Sequence, residues 1–382
     1  MTKVKKYKIV LAGGGTGGHI YPLLAVAEEL RGVFEKNGYL LELHFVGTPG
    51  KFEDEIKAAG IKIHKILAGK FRRYLSFGYL IDIPKIFIGL IQAFLKIYAI
   101  MPDEVFSKGG PGAFQTVLAA KFYMIPVMIH ESDAYPGLTN LLSARFAKKI
   151  AISFPNVAKY FNPAKTILTG NPLRPSLLRQ RLESGAAKEA LGFSSASPLV
   201  LILGGSQGSE RVNDFIISVL KNVIIDAQIL HQTGAANYEL VQKAAQATLV
   251  DVAVSAEAKN RYKAVSFLVG KEMAYALSAA DVVIGRAGSG TIFEIAAFGK
   301  PSILIPLPEA AGDHQRENAY AYAQTGAAYV TEESNFSPNI LLSGIKRLTG
   351  GGDLPKAMAE AALKFAKPQA AEAIAAEVFK LA

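Results

Sequence analysis

Two doubly wound α/β domains in tandem are predicted for this chain, and three observations predict them. Short apolar runs alternate with amphipathic segments along most of the 382 residues, the pattern of βα units that build a parallel sheet. One unit of strand, glycine turn and helix occurs first as "YKIVLAGGGTGGHIYPLLAVAEEL" and starts again as "PLVLILGGSQGSERVNDFIISVL". Between them, "TGNPLRPSLLRQRLESGAAKEALGFSSASP" carries the Pro, Gly and Ser content of a connection. The expected division is residues 1–170, residues 171–365 and a closing helix over 366–382, able to pack back on the first domain.

In chain order, "YKIVLA" reads as a buried strand entering the first glycine loop, and "YPLLAVAEELRGVF" as the helix that leaves it. "LLELHFVG" is a second strand. "VMIH", "KKIAIS", "TILTG", "LVLILGG", "AQILHQTG", "DVVIGRAG" and "PSILIPLP" are further strand candidates. Val212, Phe215, Ile216, Val219 and Leu220 follow the spacing of one helix face.

"GKFRRYLSFGYLIDIPKIFIGLIQAFLKIYAIMP" is apolar, yet Asp82, Pro84, Lys85 and Lys96 interrupt it, and a span needs about 20 apolar residues. Read as a helix after Pro84, it has a narrow polar stripe of Lys85, Gly89, Gln92 and Lys96, with Phe87, Ile91, Phe94 and Leu95 elsewhere. It is either a buried helix of the first domain or an interfacial helix flanked by Lys70, Arg72 and Arg73, which would meet anionic headgroups.

The absence of cysteine excludes disulfides, thiolate metal sites and a thiol nucleophile. The start, "MTKVKKYKIVLAGGG", has an apolar run of only Ile9 to Ala12, too short for a signal peptide, so a cytoplasmic location is expected. A net charge of +10 and a pI near 9.4 suit nucleic acid, anionic lipid or a phosphorylated substrate. No RNA-binding motif, zinc-finger spacing or arginine-rich tract supports nucleic acid, and none is expected as a partner.

In doubly wound domains ligands sit beyond the carboxyl ends of the strands, where helix N-termini favour phosphate. Gly13, Gly14, Gly15, Thr16, Gly17 and Gly18 form such a loop. Gly13, Gly15 and Gly18 also satisfy G-x-G-x-x-G, but a dinucleotide reader wants an acid ending the second strand, which here ends Phe45-Val46-Gly47-Thr48. The Walker pattern is absent. His19, at the loop's end, is either a helix-terminal histidine bonded to backbone or a general base. A second loop, Gly204-Gly205-Ser206-Gln207-Gly208, adds polar side chains.

The segment "RAGSGTIFEIAAFGKPSILIPLPEAAGDHQRENA" carries Arg286 at a strand end, then Ser289, Gly290 and Thr291 opening a helix, then Glu294. This arrangement would hold a diphosphate and a ribose; alternatively, Thr291 to Glu294 is a capping box. Asp313, Gln315 and Asn318 open another helix, as sugar ligands or as caps.

The pieces "GGGTGGHIYP", "HESDAYPGLTN", "TGNPLR", "GGSQGS", "RAGSGTIFEIAAFGKPSILIPLP" and "DHQRENA", in this order, resemble the MurG family, the peptidoglycan glycosyltransferases that add N-acetylglucosamine to lipid I to make lipid II. The resemblance implies a GT-B fold, two Rossmann-like domains facing across a cleft. It also implies UDP-N-acetylglucosamine as donor, undecaprenyl-linked lipid I as acceptor, and peripheral attachment to the cytoplasmic face of the membrane. Residue by residue, it implies His19 as the base, Glu294 at the ribose, and Ser206, Gln207 and Arg174 at the nucleotide and diphosphate. Phe267 and Leu268 would border the uracil, Arg286, Ser289, Gly290 and Thr291 would support the diphosphate, and Gln315 the donor sugar. Thr16, Gly17, Gly18, Glu131 and Asp133 complete the donor set, and Gly13 to Gly18 would take the acceptor's diphosphate. The chain departs at Asp133, where the family commonly has asparagine, and after Phe267, where Val269-Gly270-Lys271-Glu272 stands and relatives often carry an acidic pair. No DxD-type metal handle is present, so no cofactor is expected to be required and Mg²⁺ to be at most stimulatory. Alternative readings are another GT-B enzyme, such as a glycolipid synthase or a UDP-N-acetylglucosamine epimerase, and a non-catalytic nucleotide-sugar-binding membrane protein. A dinucleotide oxidoreductase lacks its second-strand acid.

Overall fold

The computed structural model describes residues 5–69, 79–205, 208–250, 260–308 and 311–382. The chain forms two compact units, one of residues 1–175 and 367–382 and one of residues 176–366.

The first unit is built on a parallel sheet of seven strands: β1 (Lys6–Gly14), β2 (Leu40–Thr48), β3 (Lys62–Lys65), β4 (Glu104–Gly109), β5 (Val127–Glu131), β6 (Lys149–Ile152) and β7 (Thr166–Leu168). Their order is β3-β2-β1-β4-β5-β6-β7. Successive side chains on a strand point to opposite faces, and the core divides accordingly. Ile9, Leu11, Phe106, Met128 and Ala151 share one layer with α1 (Gly17–Lys36). Val10, Ala12, Val105, Ile129 and Ile150 share the other, whose cover includes Ala93 and Ile97 from α3 (Tyr79–Ile100) and Val117 from α4 (Ala113–Phe122). Two shorter helices, α2 (Glu53–Ala58) and α5 (Leu138–Ala144), complete this part of the chain. The last helix, Ala370–Leu381, returns to this unit: Ile374, Ala375 and Val378 join the α1 layer, and Phe379 meets Phe34 edge-on at 4.9 Å between ring centres.

The second unit has a parallel sheet of six strands, β8 (Leu199–Leu203), β9 (Gln228–Gln232), β10 (Tyr262–Val265), β11 (Val282–Gly285), β12 (Ser302–Leu304) and β13 (Ala328–Val330), in the order β10-β9-β8-β11-β12-β13. The helix Glu210–Asp226 buries Val212, Ile216, Val219 and Leu220 in the core, with Phe215 packed at its edge. Four strands escape a reading by apolar runs. β3 ("KIHK") and β10 ("YKAV") are edge strands carrying lysine, β13 has three residues, and β4 buries the charged Glu104 and Lys108.

In both sheets the strand order reverses beside the strand that feeds a glycine loop, between β1 and β4 and between β8 and β11. Such switch points open a crevice at the carboxyl ends, which is where doubly wound sheets bind ligands.

Helix α3 turns its narrow polar stripe partly toward the protein. Gly89 lies against the Leu67 backbone, where a Cβ would come 1.8 Å from its carbonyl oxygen, and Gln92 Oε1 accepts the Leu67 N–H at 2.7 Å. Two members of the polar stripe therefore face the protein. The apolar stripe faces outward: Phe87, Ile91, Leu95 and Tyr98 are each more than 60% exposed. Asp82–Ile100 is, by length and composition, apolar enough to cross a membrane despite its interruptions, but Gly89, Ala93, Ile97 and Ile100 are buried on its inner face. Lys70, Arg72 and Arg73 lie outside the described residues.

Candidate active site

The six residues of the first loop do three different jobs. Gly13 and Gly14 are small because protein lies beside them: a Cβ on Gly13 would come 2.8 Å from Leu23, and one on Gly14 2.4 Å from the Thr48 carbonyl oxygen. Gly15, at φ +93°, turns the chain and donates its N–H to the Thr48 carbonyl at 3.1 Å. Thr16, Gly17 and Gly18 open α1, and a Cβ on Gly18 would meet nothing nearer than Thr16 Oγ1 at 3.7 Å. Space for a ligand is therefore at Gly18, over the first turn of a 20-residue helix whose leading N–H groups carry the positive end of its dipole.

His19 is half-buried in that first turn, and its Nδ1 lies 3.1 Å from Thr16 Oγ1. The loop after β4 walls the ring, since a Cβ on Gly110 would come 3.0 Å from the same nitrogen. The side chain thus engages a hydroxyl. In the tautomer that donates Nδ1–H to Thr16, Nε2 carries the lone pair of the ring.

Arg174 lies in the first unit, with its guanidinium 4.8 Å from the centre of the Tyr21 ring on α1. The expected division at residue 170 placed it with the second domain. A Cβ on Gly17 would come 3.1 Å from the same Tyr21 ring, so Arg174 stands beside the opening of α1.

Glu131 and Asp133 end β5 and start the following turn. Glu131 is buried, and both its oxygens are taken: Oε1 by the Asp133 N–H at 3.0 Å, Oε2 by the Gly137 N–H and Asn140 Nδ2, each at 3.0 Å. Burial, then the nearby Asp133 charge, raises the Glu131 pKa. Glu131 shapes the turn from within, while Asp133 is half-exposed on it. The adjacent His130 is fully buried; its Nε2 lies 3.0 Å from the Gly170 carbonyl and ties β5 to the segment leading to Arg174. Desolvation holds His130 well below its ordinary pKa.

In the second unit the helix Ser289–Ala297 starts immediately after β11, with Gly288 as its N-cap. Thr291 is the third helical residue, so it does not cap the helix, and the capping-box reading of Thr291 to Glu294 fails for that reason. Glu294 is half-buried one turn in. A Cβ on Gly290 would meet nothing within 4 Å, so the helix end is open there too.

Arg286 directly follows β11. It is buried, with Nη1 donating to the Ile305 and Pro306 carbonyls at 3.2 and 3.4 Å and Nη2 to Ser209 Oγ at 2.6 Å. The same Nη2 pairs with the buried Glu333 carboxylate. Its charge is neutralised inside the protein, and it braces the loops around the helix end.

Gln315 Oε1 accepts the Leu307 N–H at 3.1 Å, and Asn318 Nδ2 donates to the Ala287 carbonyl at 3.3 Å. Both fix main chain around the site. Phe267 is half-buried; Leu268 is buried and donates its N–H to Gln232 Oε1 at 3.0 Å. Gln232 also donates to the Gly205 carbonyl at 3.3 Å, coupling the second glycine loop to the Phe267-Leu268 segment. Sequence reading treated Gln232 only as part of a strand; its position at the carboxyl end of β9 was the available signal. Ser206 and Gln207 lie outside the described residues. Among the described residues no group of three or more His, Asp or Glu side chains could hold a metal ion.

Residues 9–152 match the glycosyltransferase family 28 N-terminal domain, and residues 199–374 match the C-terminal domain of the same family. The chain belongs to glycosyltransferase family 28. Its family 28 relatives include the UDP-N-acetylglucosamine--N-acetylmuramyl-(pentapeptide) pyrophosphoryl-undecaprenol N-acetylglucosamine transferase of Thermoanaerobacter sp. (strain X514), 38% identical over 96% of this chain and 98% of the relative. The transferase of the same name from Legionella pneumophila (strain Paris) is 37% identical over 88% of each chain. The crystal structure of MurG from Acinetobacter baumannii matches with a TM-score of 0.74 and 28% identity, over 98% of this chain and 99% of that one. The UDP-GlcNAc 2-epimerase of Neisseria meningitidis, at a TM-score of 0.67 and 16% identity over 98% and 100%, shares the fold alone. Two parallel-sheet α/β units of this kind are the GT-B architecture of family 28.

Proposed function

We propose that this protein is an inverting glycosyltransferase that moves N-acetylglucosamine from UDP-N-acetylglucosamine to the 4-hydroxyl of the N-acetylmuramyl sugar of undecaprenyl-linked lipid I, giving lipid II. The observation that carries the reading is identity of 38% over nearly the full chain with enzymes named for that transfer. The first helix supports it, opening on Thr16-Gly17-Gly18-His19 with His19 Nδ1 3.1 Å from the Thr16 hydroxyl.

The acceptor's hydroxyl oxygen attacks the anomeric carbon opposite the diphosphate, and the bond from that carbon to the β-phosphate oxygen breaks. His19 Nε2 takes the hydroxyl proton as the new bond forms. UDP leaves carrying the negative charge, and the open N-terminus of Ser289–Ala297 stabilises the diphosphate through its N–H groups. Glu294 accepts the ribose hydroxyls, and Phe267 and Leu268 border the uracil. Ser206, Gln207, Ser289, Gly290, Thr291 and Arg174 hold the nucleotide-diphosphate, with Arg286 bracing the loops around it. Gln315, Asp133 and the turn shaped by Glu131 meet the donor sugar, and the Gly15–Gly18 segment holds the acceptor's diphosphate. No step in this scheme uses a metal, and Mg²⁺ is at most stimulatory.

The acceptor sits in a membrane, and the exposed Phe87, Ile91, Leu95 and Tyr98 stripe of α3 suits shallow insertion beside anionic headgroups. The protein then works as a peripheral enzyme on the cytoplasmic face. Nucleic acid has no part in this reading.

Transfer of labelled N-acetylglucosamine from UDP to a lipid I analogue, with a no-acceptor control, tests the proposal. Acceptor-dependent label in a lipid II product is expected. UDP binding without transfer refutes the acceptor. Unchanged UDP affinity in Glu294→Ala refutes the ribose role.

A further inference from the structure

Gln232 is the last residue of β9, and strand register sets it between two segments of the second unit. It is level with Leu203, the last residue of β8, and with Val265, the last residue of β10. Leu203 runs on into the second glycine loop, and Val265 into Phe267-Leu268. The main chain already laces the three strand ends together. Gly204 donates to the Gln232 carbonyl at 3.4 Å, and Thr233 and Gly234 donate to the Val265 and Ser266 carbonyls, each at 3.0 Å.

The Gln232 side chain is 2% exposed and spans both segments. Its Oε1 accepts the Leu268 N–H at 3.0 Å, and its Nε2 donates to the Gly205 carbonyl at 3.3 Å. These partners fix which end of the amide is which, because a main-chain N–H only donates and a carbonyl only accepts. They also fix the residue type. A carboxylate here would face the Gly205 carbonyl with a second acceptor, and a thioether would satisfy neither partner. Gly205, at φ +86°, also takes the Gly208 N–H on the same carbonyl at 3.2 Å, so the loop turns around the atom that Gln232 holds. The strand end beneath is itself fixed. The buried His231 has Nδ1 3.0 Å from the Tyr262 hydroxyl and Nε2 3.0 Å from Asn213 Oδ1, and Asn213 Nδ2 donates to the Thr233 carbonyl at 3.0 Å.

We propose that Gln232 is a positioning residue that locks the Phe267-Leu268 segment and the second glycine loop at one separation, so that a nucleoside diphosphate engages both at once. This role rests on the proposed UDP site. The ligand gains because neither segment has to be ordered against the other when it binds. The lock therefore acts on ligands that reach both segments and leaves those that reach one nearly untouched.

The test compares Gln232→Met with the parent in the full chain, using UDP, uridine and inorganic pyrophosphate as probes. Dissociation constants are read by ligand-observed NMR, and exchange of the Leu268 amide is read without ligand. UDP should bind at least about tenfold more weakly to the variant, with uridine and pyrophosphate each changed less than about threefold. The Leu268 amide should exchange at least about tenfold faster, since its acceptor is gone. Equal losses for all three probes, the sign of general loosening, overturn the proposal. Unchanged UDP affinity or unchanged Leu268 exchange overturns it as well. If Gln232→Met does not fold, Gln232→Glu decides: it keeps the acceptor for Leu268 and loses the donor for Gly205. UDP should then weaken about tenfold while uridine affinity and Leu268 exchange stay within about threefold of the parent; UDP binding like the parent's overturns the lock. A parent that binds none of the probes refutes the UDP site, while Leu268 exchange still decides whether Gln232 ties the two segments.

Discussion

Replacing Arg286 by methionine should make the second unit unfold more readily while leaving UDP affinity of the folded protein nearly intact. The guanidinium makes contacts that a thioether cannot: two carbonyls, the Ser209 hydroxyl and the Glu333 carboxylate. The Arg286 and Glu333 side chains are 7% and 11% exposed, so the pair is little screened. Breaking one side of a buried pair costs about 3–5 kcal/mol. The lower end applies here, because Glu333 keeps Arg211 at 2.7 Å and is not stranded. For a unit of this size, about 3 kcal/mol corresponds to a melting temperature lower by roughly 6–12 °C. Scanning calorimetry measures that shift, and titration calorimetry with UDP, run well below the transition, measures affinity. UDP affinity should change less than about threefold, around 0.6 kcal/mol. A variant that melts within about 2 °C of the parent yet loses more than about thirtyfold in UDP affinity would falsify the bracing role and make Arg286 a direct diphosphate ligand.

His19→Ala should cut kcat by at least about a hundredfold and change donor affinity little, as expected for a lost base; equal activity would remove His19 from the mechanism. Thr16→Val should lower kcat by a smaller factor, about tenfold, because the tautomer is no longer tied; an unchanged kcat would show that Thr16 does not set it. Phe87→Asp with Ile91→Asp should reduce binding to vesicles containing anionic lipid about a hundredfold, from two exposed apolar side chains, without altering the melting temperature; undiminished binding in sedimentation would exclude α3 as the contact. Acidification should destabilise both units. Burial lowers the His44 pKa to about 4 and the His231 pKa to about 3, and both take up protons more readily when unfolded. Their contribution is complete above about pH 6.5, the unfolded histidine value, and is lost as pH falls through about 4 and about 3. Urea titrations from pH 7 to pH 4 check the sign; stability rising on acidification contradicts it.

Much of this protein was legible in the amino-acid order because the relevant physics is local. Strand, glycine turn and helix follow one another within about two dozen residues in each half, and parallel sheets bury their central strands on both faces, leaving continuous apolar runs. His19 and Thr16 lie three residues apart at a helix start, so their meeting required only that α1 form. Edge strands β3 and β10 were illegible because solvent on one side permits lysine. The tertiary structure alone decided the rest. Arg286 looks like an anion ligand in sequence; its partners Ser209, Ile305, Pro306 and Glu333 come from three distant segments, and only their convergence reveals that its donors are used. Helix α3 has two stripes in any reading, and the choice of which one faces water was made by the Leu67 backbone, which needs a residue without a Cβ at Gly89 and an acceptor at Gln92.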